Sequence, residues 1–311
     1  MPVKTKHERI PQSKIAIIGA GSVGATIAYT LVVKTLAAEV VLIDVNQKKL
    51  EGEIMDLDDG QCFSETGYIH GGSFRDAATA DIIIHCAGAG QKSGETRMDL
   101  VKKNKEITRS IFKQIGKIKS TTIVIVVTNP VDILTHVVQE IVKLPKTQVF
   151  GTGTALDTAR LRGELARHFG VYAGNIDGYI LGEHGDSEFA AWSTVSVAGI
   201  PLHDLKVPQA KLDEIEQTVK MSAYEIIERK GATYYGIAMA TVDIVEAILF
   251  DQHKIIPVSQ YLSGWNCMEN VCISASTVIG RNGIEKVWPL QLNAGEIKKL
   301  KKSAEAIRQY L

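Results

Sequence analysis

Four segments of this 311-residue chain carry polar residues in patterns that suit chemistry better than packing. The first is GAGSVG, with Gly19, Gly21 and Gly24, set between an apolar run and a helical pattern. Glycines at that spacing permit a tight turn, the approach of a pyrophosphate to backbone N–H groups, and close helix–strand packing. Phosphate then sits at the positive end of the helix. Asp44 ends the next apolar run, EVVLID. A carboxylate there accepts hydrogen bonds from ribose hydroxyls and repels a 2′-phosphate, so the pattern points to NAD rather than NADP. A structural turn followed by a capping aspartate is the plainer alternative, and the strand–turn–helix context argues against it.

The other three segments are GQKSGETRMDL (90–100), LDTARLR (156–162) and GEHGDSE (182–188). His184 is of the one residue type whose unperturbed pKa suits proton transfer near neutrality. Asp157 and Arg160, three apart, share a helix face. The guanidinium fork of Arg160 can grip a carboxylate through two parallel bonds. Arg97 stands in a segment with Gly90, Ser93 and Gly94, which suits a mobile lid over about 88–100 that excludes water on closing. Taken singly, each has a plainer reading: a packing histidine, a capping acid, a solvated arginine. That reading is applied to His70, His85, His136, His168 and His253, whereas the joint occurrence of the others argues for a site. No metal is expected, because GEHGDSE lacks the H-E-x-x-H spacing. The four cysteines, Cys62, Cys86, Cys267 and Cys272, form no C-x-x-C pair and are read as reduced thiols.

The elements that must position these residues follow from hydrophobic periodicity. KIAIIG, EVVLID, DIIIHCAG and TTIVIVVTNP are short runs, apolar nearly throughout, as strands of a parallel sheet covered on both faces are. Helical patterns between them, from near Val23 and over 47–63, imply right-handed βαβ crossovers and a doubly wound, Rossmann-type α/β domain. Pro130 stops the last run and can open the helix VDILTHVVQEIVK. After QVFGTG the pattern changes to α+β. Helices are expected over 156–168, 209–229 and 233–250, with strands at GYILGE, FAAWSTVSVAG, KIIPVSQYL and VCISASTVIG and a charged C-terminal helix. The expected organisation is a tail over 1–13, a nucleotide-binding domain over 14–150, and an α+β substrate domain over 151–311.

Composition narrows the function class. Lysine plus arginine equals aspartate plus glutamate at 35 each, which leaves no basic surplus for nucleic-acid phosphates or an anionic membrane surface. The longest apolar runs, such as 123–127, are too short to span a bilayer. The polar N-terminal MPVKTKHERIPQS lacks the apolar run of a signal peptide. A cytoplasmic protein acting on a small molecule is expected.

Taken together with TNPVD, the four segments resemble the lactate/malate dehydrogenase family, in order and without large gaps from about Lys14 to the C-terminus. The resemblance implies a homo-oligomer, most simply a homotetramer, with NAD as cofactor. It makes His184 the proton donor to a 2-keto acid, and Asp157 the partner that fixes the imidazole tautomer and raises its pKa. Arg160 becomes the substrate-carboxylate clamp and Arg97 the lid arginine that polarises the carbonyl. Asn129 joins the substrate oxygen network near the nicotinamide, Thr233 lines the pocket, and Ile237 packs on the nicotinamide. Thr152, in GTGT, stands where relatives commonly carry serine or threonine.

Position 91 separates the branches of the family. Malate dehydrogenases carry arginine there for the second carboxylate of oxaloacetate, whereas Gln91 is a neutral amide. A dicarboxylate would bury an unpartnered charge at a cost of several kcal/mol. The expectation is reversible reduction of pyruvate to L-lactate by NADH. Larger aliphatic 2-keto acids are the alternative, since Gln91 excludes charge better than it measures length, and malate dehydrogenase activity is the weaker one. Ser93 stands where many lactate dehydrogenases carry proline. Arg162 matches an arginine used by relatives to bind fructose 1,6-bisphosphate, but Asp177 replaces the accompanying histidine and would repel the phosphates. Activation by that sugar is therefore expected to be weak or absent. A catalytically silent nucleotide-binding module would lack one of these residues. An NAD-dependent glycosidase would need a metal ligand where TNP offers Thr128.

Overall fold

The structure, a computed structural model, describes residues 13–64, 67–90 and 96–311, the side chains of Arg97 and Cys267 excepted. Six parallel strands come first: β1 (Lys14–Ile18), β2 (Glu39–Ile43), β3 (Tyr68–Gly71), β4 (Ile82–His85), β5 (Ile123–Val126) and β6 (Val149–Gly151). Helices α1 (Ser22–Val33), α2 (Gln47–Gln61), α3 (Phe74–Ala77), α4 (Arg97–Ile115) and α5 (Val131–Ile141) connect them. Their spatial order is β3-β2-β1-β4-β5-β6. The chain order reverses between β1 and β4, and at such a switch point a crevice opens beyond the strand ends.

The strands are buried on both faces because each face has its own cover. Ile15, Ile17, Ile82, Ile84, Ile123 and Ile125 point into one apolar cluster with α1. Their neighbours Ala16, Ile18, Ile83, Val124 and Val126 point into a second, with residues of α4 and α5. The period of two in a strand thus feeds two cores from one continuous apolar run.

The later part of the chain contributes α6 (Ala155–Phe169) and the short strands β7 (Ile176–Asp177), β8 (Ile180–Leu181), β9 (Phe189–Ala190), β10 (Ser196–Val197) and β11 (Ile200–Pro201). Helices α7 (Gln209–Lys230) and α8 (Tyr235–Leu249) follow, then β12 (Lys254–Leu262), β13 (Val271–Gly280), β14 (Gly283–Val287) and α9 (Ala294–Arg308). The sheet does not stop at residue 150. β12 pairs antiparallel with β6 through Ser259 and Gly151, which extends it to nine strands among the described residues. Helix α8 packs Ala238, Val242 and Val245 into the same cluster as β1.

Four details depart from the pattern reading. β3, β14 and the one-turn α3 were not expected; YIHG and GIEKV lie at the two sheet edges, where half-exposed residues dilute the apolar signal. FAAWSTVSVAG breaks into β9 and β10 around a 3₁₀ turn at Trp192–Thr194. Pro130 is the N-cap residue of α5 rather than its first helical residue, after a cis bond from Asn129. The helix expected from Thr233 begins at Tyr235, so Thr233 lies in the turn ahead of it.

Candidate active site

The turn between β1 and α1 gives its three glycines different reasons to be glycine. Gly19 has φ +104°, and a Cβ there would lie 2.8 Å from the amide nitrogen of Ala87. A Cβ on Gly24 would lie 1.9 Å from the carbonyl oxygen of Gly19, so α1 sits this close only without it. At Gly21 a Cβ would meet nothing within 4 Å among the described residues. Its missing side chain serves the open space rather than the fold. That space is a cleft of about 530 Å³ lined by Gly19, Gly21, Asp44, Cys86, Ala87 and Gly88, among others.

Helix α1 begins at the cleft with no capping side chain and no acid in its first turn. Its positive end is left for an anion. Asp44 Oδ2 accepts the Ala20 N–H at 2.7 Å, and Oδ1 accepts the Asn46 N–H at 2.8 Å. Each oxygen keeps a further lone pair for an outside donor. A bare floor, an uncapped helix end and a fixed carboxylate fit a dinucleotide in chemistry and size.

Directly after β6, α6 carries Asp157 in its first turn and Arg160 one turn on. Asp157 is 2% exposed and divides its oxygens. Oδ2 lies 2.7 Å from Nδ1 of His184, and Oδ1 accepts from an Nη of Arg160 at 2.8 Å. One arm of the guanidinium is therefore committed to Asp157, the neighbour that the i,i+3 spacing places on the same helix face. Nδ1 of His184 carries its proton toward Asp157, and Nε2 has no partner among the described residues. The imidazole is 27% exposed, so this nitrogen is within reach of a ligand.

The electrostatics of the pair follow from its surroundings. Burial opposes charge on His184, but Asp157, by charge and hydrogen bond, outweighs it, with Glu188 and Asp132 assisting. The imidazole pKa is raised to about 9. Burial pushes the Asp157 carboxyl up, yet His184 and Arg160 prevail and hold it below the usual carboxylate range.

Three supporting residues were not singled out in the sequence. Asp132, fully enclosed at 2% exposure, accepts the His184 backbone N–H at 2.9 Å and the Ser259 hydroxyl at 2.6 Å. Burial raises its pKa to about 6. Asn104, 1% exposed, accepts the Ala89 N–H at 2.8 Å and donates to the Asn129 carbonyl at 2.8 Å. It ties the TNP turn to the base of the 88–100 segment. Glu188 is 5% exposed, and its carboxylate, that of Asp157 and a ring nitrogen of His184 lie within 4.8 Å of one another. The only available signal was the presence of acids and an amide in otherwise apolar or functional segments.

The remaining expected residues are placed as follows. The Asn129 side chain is exposed at the strand end. Ile237 is half-buried and packs on the cluster that carries β1. Thr233 is half-buried, with no hydrogen bond to the His184 cluster among the described residues. Arg97 opens α4 behind a capping box of Thr96 and Asp99, but its side chain lies outside the described structure. Gln91, Ser93, Gly94 and the expected tail, except Ser13, lie outside the described residues. Arg162 donates to the Gly178 carbonyl at 3.2 Å and stacks 5.2 Å from the Tyr179 ring centroid. Asp177 is exposed beside it on β7.

Comparison with known proteins agrees over nearly the whole chain. Residues 13–151 match the lactate/malate dehydrogenase NAD binding domain, and residues 154–311 match the lactate/malate dehydrogenase alpha/beta C-terminal domain. An L-lactate dehydrogenase of Acetivibrio thermocellus is 46% identical over 96% of both chains. One of Thermoanaerobacter pseudethanolicus is 46% identical over 96% of this chain and 98% of its own. Among solved structures, the minor L-lactate dehydrogenase of Enterococcus mundtii superposes with a TM-score of 0.93 at 41% identity, covering 96% of this chain and 97% of its own. A lactate dehydrogenase from a Medee basin deep-sea metagenome library also gives 0.93, at 38% identity over 96% and 98%.

Proposed function

Since the chain belongs to the lactate/malate dehydrogenase family, we propose that it interconverts pyruvate and L-lactate, with His184 as its proton carrier. The observation that carries this reading is the His184–Asp157 pair, 2.7 Å apart, with Nε2 of the imidazole unpartnered among the described residues and Arg160 on the same carboxylate. NAD, the family's cofactor, would in its reduced form supply the hydride when bound in the cleft at Gly19, Gly21 and Asp44, with Gly24 letting α1 close on the turn.

The protein's own groups do the rest. Asp157 keeps the imidazole proton on Nδ1 and stabilises the imidazolium, so that Nε2–H is directed at the substrate carbonyl. The free part of the Arg160 fork holds the substrate carboxylate, which fixes the keto carbon in place. Arg97, carried at the start of α4, polarises the carbonyl oxygen as negative charge develops there. Asn129 adds a donor near the same oxygen, Thr233 walls the pocket, and Ile237 packs beside the nicotinamide site. In the reverse direction neutral His184 accepts the hydroxyl proton of lactate. Gln91 offers no charge for a second carboxylate, which disfavours oxaloacetate.

The domain division near residue 150, a cytoplasmic setting and assembly as a homotetramer complete the proposal. Exposed Tyr29, Val33 and Phe63 border one recess, an apolar surface of the kind that subunit contact covers. No helix among the described residues is long and apolar enough to cross a membrane. The test is loss of NADH absorbance with pyruvate, oxaloacetate and 2-ketoisocaproate in parallel. Turnover should be fastest with pyruvate. Absence of turnover with every keto acid would overturn the reading, and preference for 2-ketoisocaproate would move it to larger aliphatic substrates.

A further inference from the structure

We propose that Glu188 is a positioning residue for the proton on His184, a second carboxylate that holds the imidazolium in its charged form as the pH rises. The inference rests on the reading of His184 as the proton carrier and adds a residue to it. Glu188 ends the GEHGDSE segment, four residues after His184, in the turn closed by its own N–H on the Gly185 carbonyl at 3.1 Å. Its carboxylate lies within 4.8 Å of both the Asp157 carboxylate and a ring nitrogen of His184. It is 5% exposed, and no hydrogen bond to it exists among the described residues. A carboxylate this enclosed, with the Asp157 carboxylate beside it, is costly to ionise unless a neighbouring cation offsets it or it holds a proton itself.

Every neighbouring element contributes a charge to the balance. Asp157 and Arg160 face the cluster from α6, and Asp132 approaches His184 from α5, itself influenced by Glu183. Lys220 faces Glu188 from α7, where it also pairs with Glu216 at 3.1 Å. Burial and the negative charge of Asp157 push the Glu188 carboxyl up to about 8, against the pull of His184, Lys220 and Arg160. Near neutrality the acid is therefore protonated, and Asp157, with Asp132 assisting, balances the imidazolium. As the pH rises Glu188 ionises ahead of His184 and adds its attraction, so the imidazole releases its proton later than one carboxylate would allow. Both groups then share the titration, as coupled sites do.

The test is the imidazole ¹⁵N titration of His184 in the full-length apo protein, with the resonance assigned by its loss in His184→Asn. Glu188→Gln keeps the shape and removes the charge, and Glu188→Asp keeps the charge but withdraws it by one methylene. The expected order of midpoints is wild type, then Glu188→Asp, then Glu188→Gln, with the last about half a unit or more below wild type. If Glu188→Gln does not fold, the gap between wild type and Glu188→Asp carries the test. A folded variant whose midpoint coincides with wild type overturns the proposal, because a merely structural role would alter stability without moving the titration. The measurement needs no substrate, so absence of pyruvate turnover by the wild type would count against the functional reading and not against Glu188.

Discussion

Replacing Asp157 by asparagine isolates the largest favourable influence on His184. With the charge gone, burial dominates and the weaker attractions of Glu188 and Asp132 remain. The imidazole pKa should fall from about 9 to its ordinary value of about 6.5 or lower. That change of roughly 2.5 units corresponds to on the order of 3 kcal/mol of lost preference for imidazolium. At pH 7.5 the protonated fraction should drop from about 97% to about 9%. The kcat/KM for pyruvate at that pH should then fall about tenfold from protonation alone. Loss of the fixed tautomer adds to it, because an asparagine cannot accept from both His184 and Arg160 as the two carboxylate oxygens do. The assay is the initial rate of NADH oxidation from pH 5.5 to 10 at subsaturating pyruvate. Wild type should lose activity through a midpoint near 9 and the variant through one near or below 6.5. Lactate oxidation, which needs the neutral imidazole, should gain activity at low pH in the variant. A variant whose midpoint stays within about 0.3 unit of wild type would refute the assignment of Asp157 as the charge that holds the proton.

The glycine turn separates folding from binding. Gly21→Ala should leave Tm within about 2 °C of wild type while weakening NADH binding tenfold or more, whereas Gly24→Ala should lower Tm by several degrees; calorimetry and fluorescence titration of both variants check this. Gln91→Arg should raise kcat/KM for oxaloacetate relative to pyruvate, and an unchanged ratio would remove Gln91 from the specificity argument. Fructose 1,6-bisphosphate should leave the KM for pyruvate within about twofold, since Asp177 adds negative charge beside Arg162, whose guanidinium is already engaged by Gly178 and Tyr179. The folded-state pKa of His184 is raised, so its contribution to stability is complete below about 6.5 and is lost as pH rises through about 9. The fall in Tm between pH 6.5 and 9.5 should accordingly be smaller in His184→Asn than in wild type.

The parallel half of the fold was legible because its strands are buried on both sides, which writes them as unbroken apolar runs. KIAII and IVIV need no tertiary information to be recognised, and the glycines at 19, 21 and 24 announce the turn between strand and helix. The edges were not legible for the opposite reason. Tyr68 is more than half exposed, and Glu285 and Lys286 point to solvent, so β3 and β14 read as loops until the neighbouring strands supply the missing hydrogen bonds. Likewise, nothing local says that β12 will join β6. That pairing depends on chain folded between residues 151 and 259, and it makes one sheet of what the sequence divides in two.

The same contrast separates the residues of the site. His184, Asp157 and Arg160 could be singled out because polar groups with several donors or acceptors stand out in short motifs. Asp132, Asn104 and Glu188 could not, because what distinguishes them is enclosure rather than type. An aspartate in VDILT is an unremarkable first-turn acid until Ser259 and the His184 backbone are seen to converge on its two oxygens. Asn104 is a polar residue inside a charged helix until its amide is found bridging Ala89 and Asn129. Glu188 is only the last residue of GEHGDSE in the sequence, yet burial changes both its own ionisation and that of the imidazole beside it. The residue types of the site can therefore be read from its motifs, whereas the ionisation of those residues is set by charges whose effect exists only once the chain has closed around them.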